Sequence, residues 1–315
     1  MVCGIPGRGP VDCLVGGTST PTRFGAVMTG WSVHDRTGRP HEECRNADEG
    51  RARVSDMVVA DFHAHTTNSD GSLTLETLPA AAREAGLAAV AVTDHDRLHP
   101  DLADPVSERD GITVVHGVEL RVESSAGRVD LLGYGVECTD ALVAELSRLQ
   151  NDRIERAREI VECVESELGV AIDVAFEPGV GRPHIARAIA DSAADVGYKA
   201  AFEDLIGDGR PCYVPREIPD FERGRDLLMD ACDLVALAHP LRYDDPAGAL
   251  ELAAVLDGVE RFYPYGRPVD TGPVEAAIER HDLIPTGGSD AHDDVLGREG
   301  LDRAGYERVS AALGL

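Results

Sequence analysis

Three observations predict an α/β fold with its chemistry gathered along one rim. From residue 57 onward, apolar runs of strand length alternate with stretches of helical spacing. Clusters of His and carboxylate residues stand at the C-terminal ends of the apolar runs, where barrels and open α/β sheets build their sites. One long helical stretch, residues 140–212, interrupts the alternation and reads as an insert beside the site.

The first run, residues 58–71, is VVADFHAHTTNSDG. It opens as a strand and delivers His63 and His65, which two-residue spacing sets on one face. Asp70 follows in a Ser-Asp-Gly turn, where Gly71 permits a tight reversal. Two imidazoles converging from one strand end are half of a metal site. A helix is expected next, capped by Thr77, carrying Pro79 in its first turn and ending at Gly86. LAAVAVTDHD predicts a second strand that ends in Asp94, His95 and Asp96. GITVVHGVEL predicts a third, ending at Glu119, and VDLLGYGV, residues 129–136, a fourth.

The insert opens with a long amphipathic helix that stops at Gly169. A second helix follows in RPHIARAIADSAADVG, with Pro183 suited to its first turn. The GDGRPCYVPRE segment returns to the core. DLVALAHP then reads as a buried strand ending at His239. Helices near residues 246–257 and 273–281 flank a short strand near 258–262. LIPTGGSDAH is the last strand, with Asp290 and His292 again two apart.

Residues 1–56 show neither period and read as disordered or as an extension foreign to the native protein. His34 and His41 are therefore set aside as ligands. The chain carries 30 Lys and Arg against 57 Asp and Glu, a net charge of −27. Such acidity argues against holding long nucleic acid by counterion release, but not against a small anionic substrate held by metal ions. Few Lys, few aromatics and much Ala, Val and Gly resemble proteins of salt-loving archaea, whose self-repulsion salt screens. Seven Cys, an odd number without a Cys-x-x-Cys, read as reduced thiols of a cytoplasmic protein. No apolar run is long enough for a membrane span.

Five His (His63, His65, His95, His239, His292) thus lie at strand ends with Asp70, Glu119 and Asp290. This donor set suits manganese, zinc, iron or magnesium and exceeds what one ion needs, so two or three divalent ions are expected. HAHTTNSDG, TDHD, HGVEL, AHP and GGSDAH, in that order, resemble the successive motifs of the PHP (polymerase and histidinol phosphatase) phosphoesterases. GRPHIARAI, GDGRPCYVPRE and AHPLRY resemble the branch of nucleoside 3′,5′-bisphosphate phosphatases and RNA 5′-end exonucleases.

The resemblance implies a distorted (β/α)7 barrel with a helical insert and a trinuclear metal centre. The implied ligands are His63, His65, Glu119 and Asp290 for one ion, Asp70, His95 and His292 for a second, and bridging Glu119 with His239 for a third. The branch places a further His eleven residues after the Glu. Here that position is Asp130, which can ligate but favours harder metals. Arg182 and His184 resemble the branch's substrate-phosphate contacts, and Arg242 is a further phosphate candidate. Asp94 and Asp96 read as turn or supporting residues, and His99, His116 and His281 as structural.

The implied activity is metal-dependent hydrolysis of a phosphate ester, on a small nucleotide or at the 5′ end of a short RNA. The eight implied ligands other than Asp130 are the catalytic set, because the ions supply an acidic water and neutralise phosphoryl oxygens. No Ser or Cys nucleophile is called for. Two alternatives are a non-catalytic metal or nucleotide sensor and an amidohydrolase-like hydrolase of C–N or C–O bonds. The scarcity of Lys, with Lys199 inside the insert, leaves the latter no candidate carbamylated ligand.

Overall fold

The structure, a computed structural model, describes residues 57–315. Residues 1–56, with His34 and His41, lie outside the described residues. The strands are β1 (Ala60–Ala64), β2 (Ala89–Val92), β3 (Val106–Arg109), β4 (Ile112–Ser124), β5 (Gly127–Val136), β6 (Cys232–Leu237), β7 (Gly258–Phe262) and β8 (Ile284–Gly287). They form one sheet in the order β1-β2-β4-β5-β6-β7-β8, with β3 paired only to β4. A bridge between Ala64 and Ala291, just past β8, brings the two edges together. The result is the expected barrel of seven strands, distorted because its middle is not parallel.

β1–β2, β2–β4, β6–β7 and β7–β8 pair in parallel, whereas β4–β5 and β5–β6 pair antiparallel. The antiparallel pairing follows from chain length. Only two residues separate Ser124 from Gly127, far too few for a crossover, so β4 and β5 form a hairpin. Gly127 turns the corner at φ 91°, and its carbonyl accepts from the Ser124 hydroxyl.

The helices are α1 (Leu78–Glu84), α2 (Asp140–Leu168), α3 (Arg182–Asp191), α4 (Tyr198–Ala200, continued by a π turn, Ala201–Ile206), α5 (Phe221–Ala231), α6 (Pro246–Leu252), α7 (Gly272–His281) and α8 (Arg303–Ala312). Thr139 caps α2 by accepting from the Leu142 amide, and Gly169 ends it in the left-handed region. Along α2 the buried face passes between two cores. Leu142, Leu146 and Leu149 pack with β4, β5 and α5. Ala157, Ile160, Val161 and Val164 pack instead with Ile185, Ile189 and Ile206. One helix therefore roots the 140–212 segment in the barrel wall and carries its separate core.

Four elements, β3, α4, α5 and α8, were not expected from the sequence. The reading of the cysteines is also corrected. Cys163 on α2 and Cys212 form a disulfide with their Cα atoms 5.5 Å apart. They stand 49 residues apart in sequence, so no local spacing could announce the pair. The inference from reduced thiols to a reducing compartment falls with it. Cys138 and Cys232 are free. No helix among the described residues is long and apolar enough to cross a membrane.

Candidate metal centre

All nine sequence-predicted ligands converge on one rim: most stand at the carboxyl ends of strands, while Glu119 lies inside β4 and Asp130 near the start of the antiparallel β5. His63 and His65 leave β1 on one face and are fully buried. His95 follows β2 and bridges to Glu119 in β4. His239 follows β6 and Asp290 follows β8. Both are held at positive φ, 26° and 48°, which is costly for residues other than Gly and is tolerated where function over-determines the backbone.

Glu119 is the hub. Its Oε1 lies 3.0 Å from His239 Nε2 and 3.6 Å from His63 Nε2. Its Oε2 lies 2.7 Å from His95 Nδ1 and 3.5 Å from His65 Nε2. Asp290 Oδ1 is 3.1 Å from His65 Nε2, 3.5 Å from His63 Nε2 and 3.5 Å from His292 Nδ1. Asp70 Oδ1 stands 3.5 Å from His292 Nε2 and 3.9 Å from His95 Nε2. Donor atoms fall into three groups, each within 4.8 Å: His65, Asp70, His95 and His292; His63, His65 and Glu119; Glu119, Asp130 and His239.

These residues fit divalent ions on a test internal to the structure. Among the described residues, His63 Nε2, Asp70 Oδ1 and Glu119 Oε2, all facing the cluster, are buried without a hydrogen-bond partner. Buried polar atoms are seldom left so, because each forfeits its hydration. The fields agree. Burial alone would push the His63 imidazole down, yet Glu260, Asp290 and Glu119 hold it well above its usual value. Burial would raise Asp290 and Glu119, yet His63 with His65, and His95 with His63, hold these carboxyls well below the usual range. The cage attracts cations.

A surrounding layer fixes the ligands. The fully buried Glu260 accepts from His63 Nδ1 at 2.9 Å and from the His239 amide at 2.7 Å. Asp94 accepts from the Thr66 amide and from the side chains of Thr66, Asn68 and Ser69, and so ties the turn carrying Asp70 to β2. Asp61 accepts from the His63, Ser289 and Gly297 amides. Tyr263 and Arg242 both donate to Asp290 Oδ2, at 2.7 and 3.0 Å. Arg242 therefore touches a candidate ligand directly.

Beside Asp70 and His95 opens a cavity of about 190 Å³ lined by Arg121, Arg153, Arg156, Arg182 and Arg216. In so acidic a chain, five guanidinium groups in one cavity form a marked local reversal of charge. Asp96, buried at φ 51°, accepts from Arg153 at 2.5 Å and Arg216 at 2.7 Å. The Nε groups of both arginines remain buried and unpartnered. Arg156 has only the Val214 carbonyl, and burial with the neighbouring arginines pushes it down to about 10. Arg182 bonds Asp208 at 2.5 Å and stacks on Tyr213. His184 accepts from the Gly181 amide and lines an adjoining cavity with Thr67, Ser69 and Arg187.

Residues 61–192 match the PHP domain family. The 3′,5′-nucleoside bisphosphate phosphatase of Chromobacterium violaceum is 31% identical over 253 residues, which cover 75% of this chain and 88% of the relative. The chain belongs to the PHP family. The 5′-3′ exoribonuclease Rnm of Escherichia coli is 28% identical over 271 residues, 80% of this chain and 92% of that one. A solved structure from Bifidobacterium adolescentis, provisionally named a metal-dependent phosphoesterase, superposes with a TM-score of 0.65. It is 23% identical and covers 81% of this chain and 96% of its own. As a PHP protein, the chain is a metal-dependent phosphohydrolase.

The sequence reading named every ligand candidate but missed Arg121, Arg153, Arg156, Arg216 and Glu260. Arg153 and Arg156, one turn apart on an acidic helix, were a usable signal. So was Glu260, a lone carboxylate between Val259 and the end of a short strand.

Proposed function

We propose that this chain removes a phosphate from a small nucleotide carrying two phosphate groups, of the nucleoside 3′,5′-bisphosphate type. One observation carries the reading: the arginine-lined cavity adjoins the metal centre. At about 190 Å³ it falls below the roughly 300–1,000 Å³ of ordinary ligand pockets, so it suits one anionic group and not a whole nucleotide. One phosphate sits there while the other is presented to the ligand cluster.

In this reading His63, His65, Glu119 and Asp290 hold one ion, and Asp70, His95 and His292 a second, with His65 adjoining both. Divalent ions, when bound, supply Lewis acidity and a water of near-neutral pKa. The chain's own groups do the rest. Glu260, Tyr263 and Arg242 keep the ligands in place. Arg153 and Arg216 grip the second phosphate through guanidinium forks, with Arg156 and Arg182 beside them, and Asp96 keeps the first two aimed. His184 lines the adjoining cavity. Residues 57–139 and 213–315 act as the barrel, and residues 140–212 as an insert that binds substrate. The relatives named above also make release of a 5′-terminal nucleotide from short RNA a candidate activity. The net charge of −27 favours the smaller substrate and a protein suited to high salt.

The test, with manganese at low and high salt, is phosphate release from a nucleoside monophosphate and a nucleoside 3′,5′-bisphosphate, and nucleotide release from a 5′-phosphorylated oligonucleotide. The bisphosphate should exceed the monophosphate at least tenfold in kcat/KM. Equal values for the two would remove the second-phosphate reading.

A further inference from the structure

Two of the three groups of donor atoms consist of side chains with lone pairs to spare, and the third does not. Asp130 in β5 faces Arg121 across the β4–β5 hairpin, where the two residues are register partners. Arg121 Nε donates to Asp130 Oδ1 at 2.7 Å, and Nη2 donates to Oδ2 at 2.7 Å. This is the bidentate fork, in which a planar guanidinium engages both carboxylate oxygens. Asp130 Oδ2 lies 3.7 Å from His239 Nε2, and that nitrogen is already 3.0 Å from Glu119 Oε1.

The pair is anchored. The Asp130 amide donates to the Tyr243 hydroxyl at 2.8 Å, and its carbonyl accepts from the Ala238 amide at 3.0 Å. The Asp130 side chain is 2% exposed and that of Arg121 38%. The carboxylate is therefore enclosed while its guanidinium partner reaches the arginine-lined cavity.

We propose that the Arg121–Asp130 pair replaces the third cation, so that the centre holds two divalent ions. The inference rests on the metal-centre reading and sharpens it. A third ion at Glu119, Asp130 and His239 must displace a permanently charged guanidinium from both oxygens of its partner. Arg242 engages only Oδ2 of Asp290, whereas Arg121 engages both oxygens of Asp130, so an ion there would meet a guanidinium already seated on the whole carboxylate and its repulsion in a buried setting. The guanidinium supplies one fixed positive charge in the ion's stead. It lies beside Glu119 and open to the cavity, where a phosphoryl oxygen can reach it.

The experiment is metal stoichiometry by elemental analysis of the full chain, equilibrated with excess manganese or zinc and then dialysed. Wild type should hold two ions per chain. The double variant Arg121→Ser/Asp130→His, which removes the fork and places an imidazole beside His239, should hold three. Thermal unfolding of the metal-free proteins checks that the variant folds. Three ions in wild type overturn the inference, as do two ions in both proteins. No bound ion in wild type would sink the metal-centre reading itself, a distinct outcome. Should the variant not fold, the wild-type count alone still decides.

Discussion

Replacing Glu260 with Gln removes one charge and almost no volume, yet it should cost the centre much of its metal affinity. Both Glu260 oxygens accept, one from His63 Nδ1 and one from the His239 amide. A Gln side chain offers one acceptor and one donor. If its oxygen keeps the His239 amide, its NH2 faces His63 Nδ1 and forces the proton onto Nε2, the atom required for an ion. If it turns over, two donors collide at the buried His239 amide. The first arrangement mis-sets a candidate ligand outright, and the second displaces His239, which lies against the hub carboxylate Glu119. Loss of such an outer hydrogen bond costs about 10- to 100-fold in metal affinity, or about 1.4–2.8 kcal/mol. The assay is competition of manganese against a chelator, with histidine 15N spectra of the metal-free protein reporting the His63 tautomer. Val259→Ala, a core substitution on the same strand, is the control: it should lower the metal-free Tm and leave affinity unchanged. The reasoning is refuted if Glu260→Gln binds metal within twofold of wild type, or if affinity falls equally in the control.

Further outcomes follow from the same geometry. Asp290→Asn and His63→Ala should lose bound metal on elemental analysis and with it several orders of magnitude of turnover; Asn is chosen at 290 because it tolerates the positive φ there. Arg182→Ala should keep its metal while kcat/KM falls by about 1.5–3 kcal/mol, the cost of one charge-assisted hydrogen bond; unchanged kinetics would leave Arg182 a structural residue. His116 is buried, with neither ring nitrogen partnered, and burial followed by nearby His99 pushes it down to about 4. Its neutral form is favoured in the fold, so stability should be lost as pH falls from about 6.5, the unfolded value, towards 4, by about 3 kcal/mol in all. Thermal unfolding across that range should show a shallower loss for His116→Leu than for wild type, and parallel curves would count against it.

The candidate ligands were legible because each sits in a short motif beside an apolar run, and strand periodicity alone puts His63 beside His65. The alternation of strands and helices and the long helix ending at Gly169 were legible for similar reasons. The β4–β5 hairpin was not, because the expected strands stopped at Glu119 and resumed at Val129, which hid the short turn at Ser125 and Ala126 that forces antiparallel pairing. The arginine cavity was hidden for another reason. Arg121, Arg153, Arg182 and Arg216 come from a strand, two helices and a loop, and nothing local marks them as neighbours. Arg121 and Asp130 were separable in sequence but became a pair only through hairpin register.

The disulfide between Cys163 and Cys212 turns the chain between them into a covalent ring. That ring contains all of α3 and α4, and both of its ends lie close to arginines of the cavity: Arg156 precedes one, Arg216 follows the other. Closing 49 residues strips the unfolded ensemble of about 4 kcal/mol of freedom in the chain-entropy account. A single peptide-bond cut inside the ring therefore cannot separate the protein into pieces. The severed halves stay tethered, migrate together without reductant, and part only when the sulfur–sulfur bond is opened.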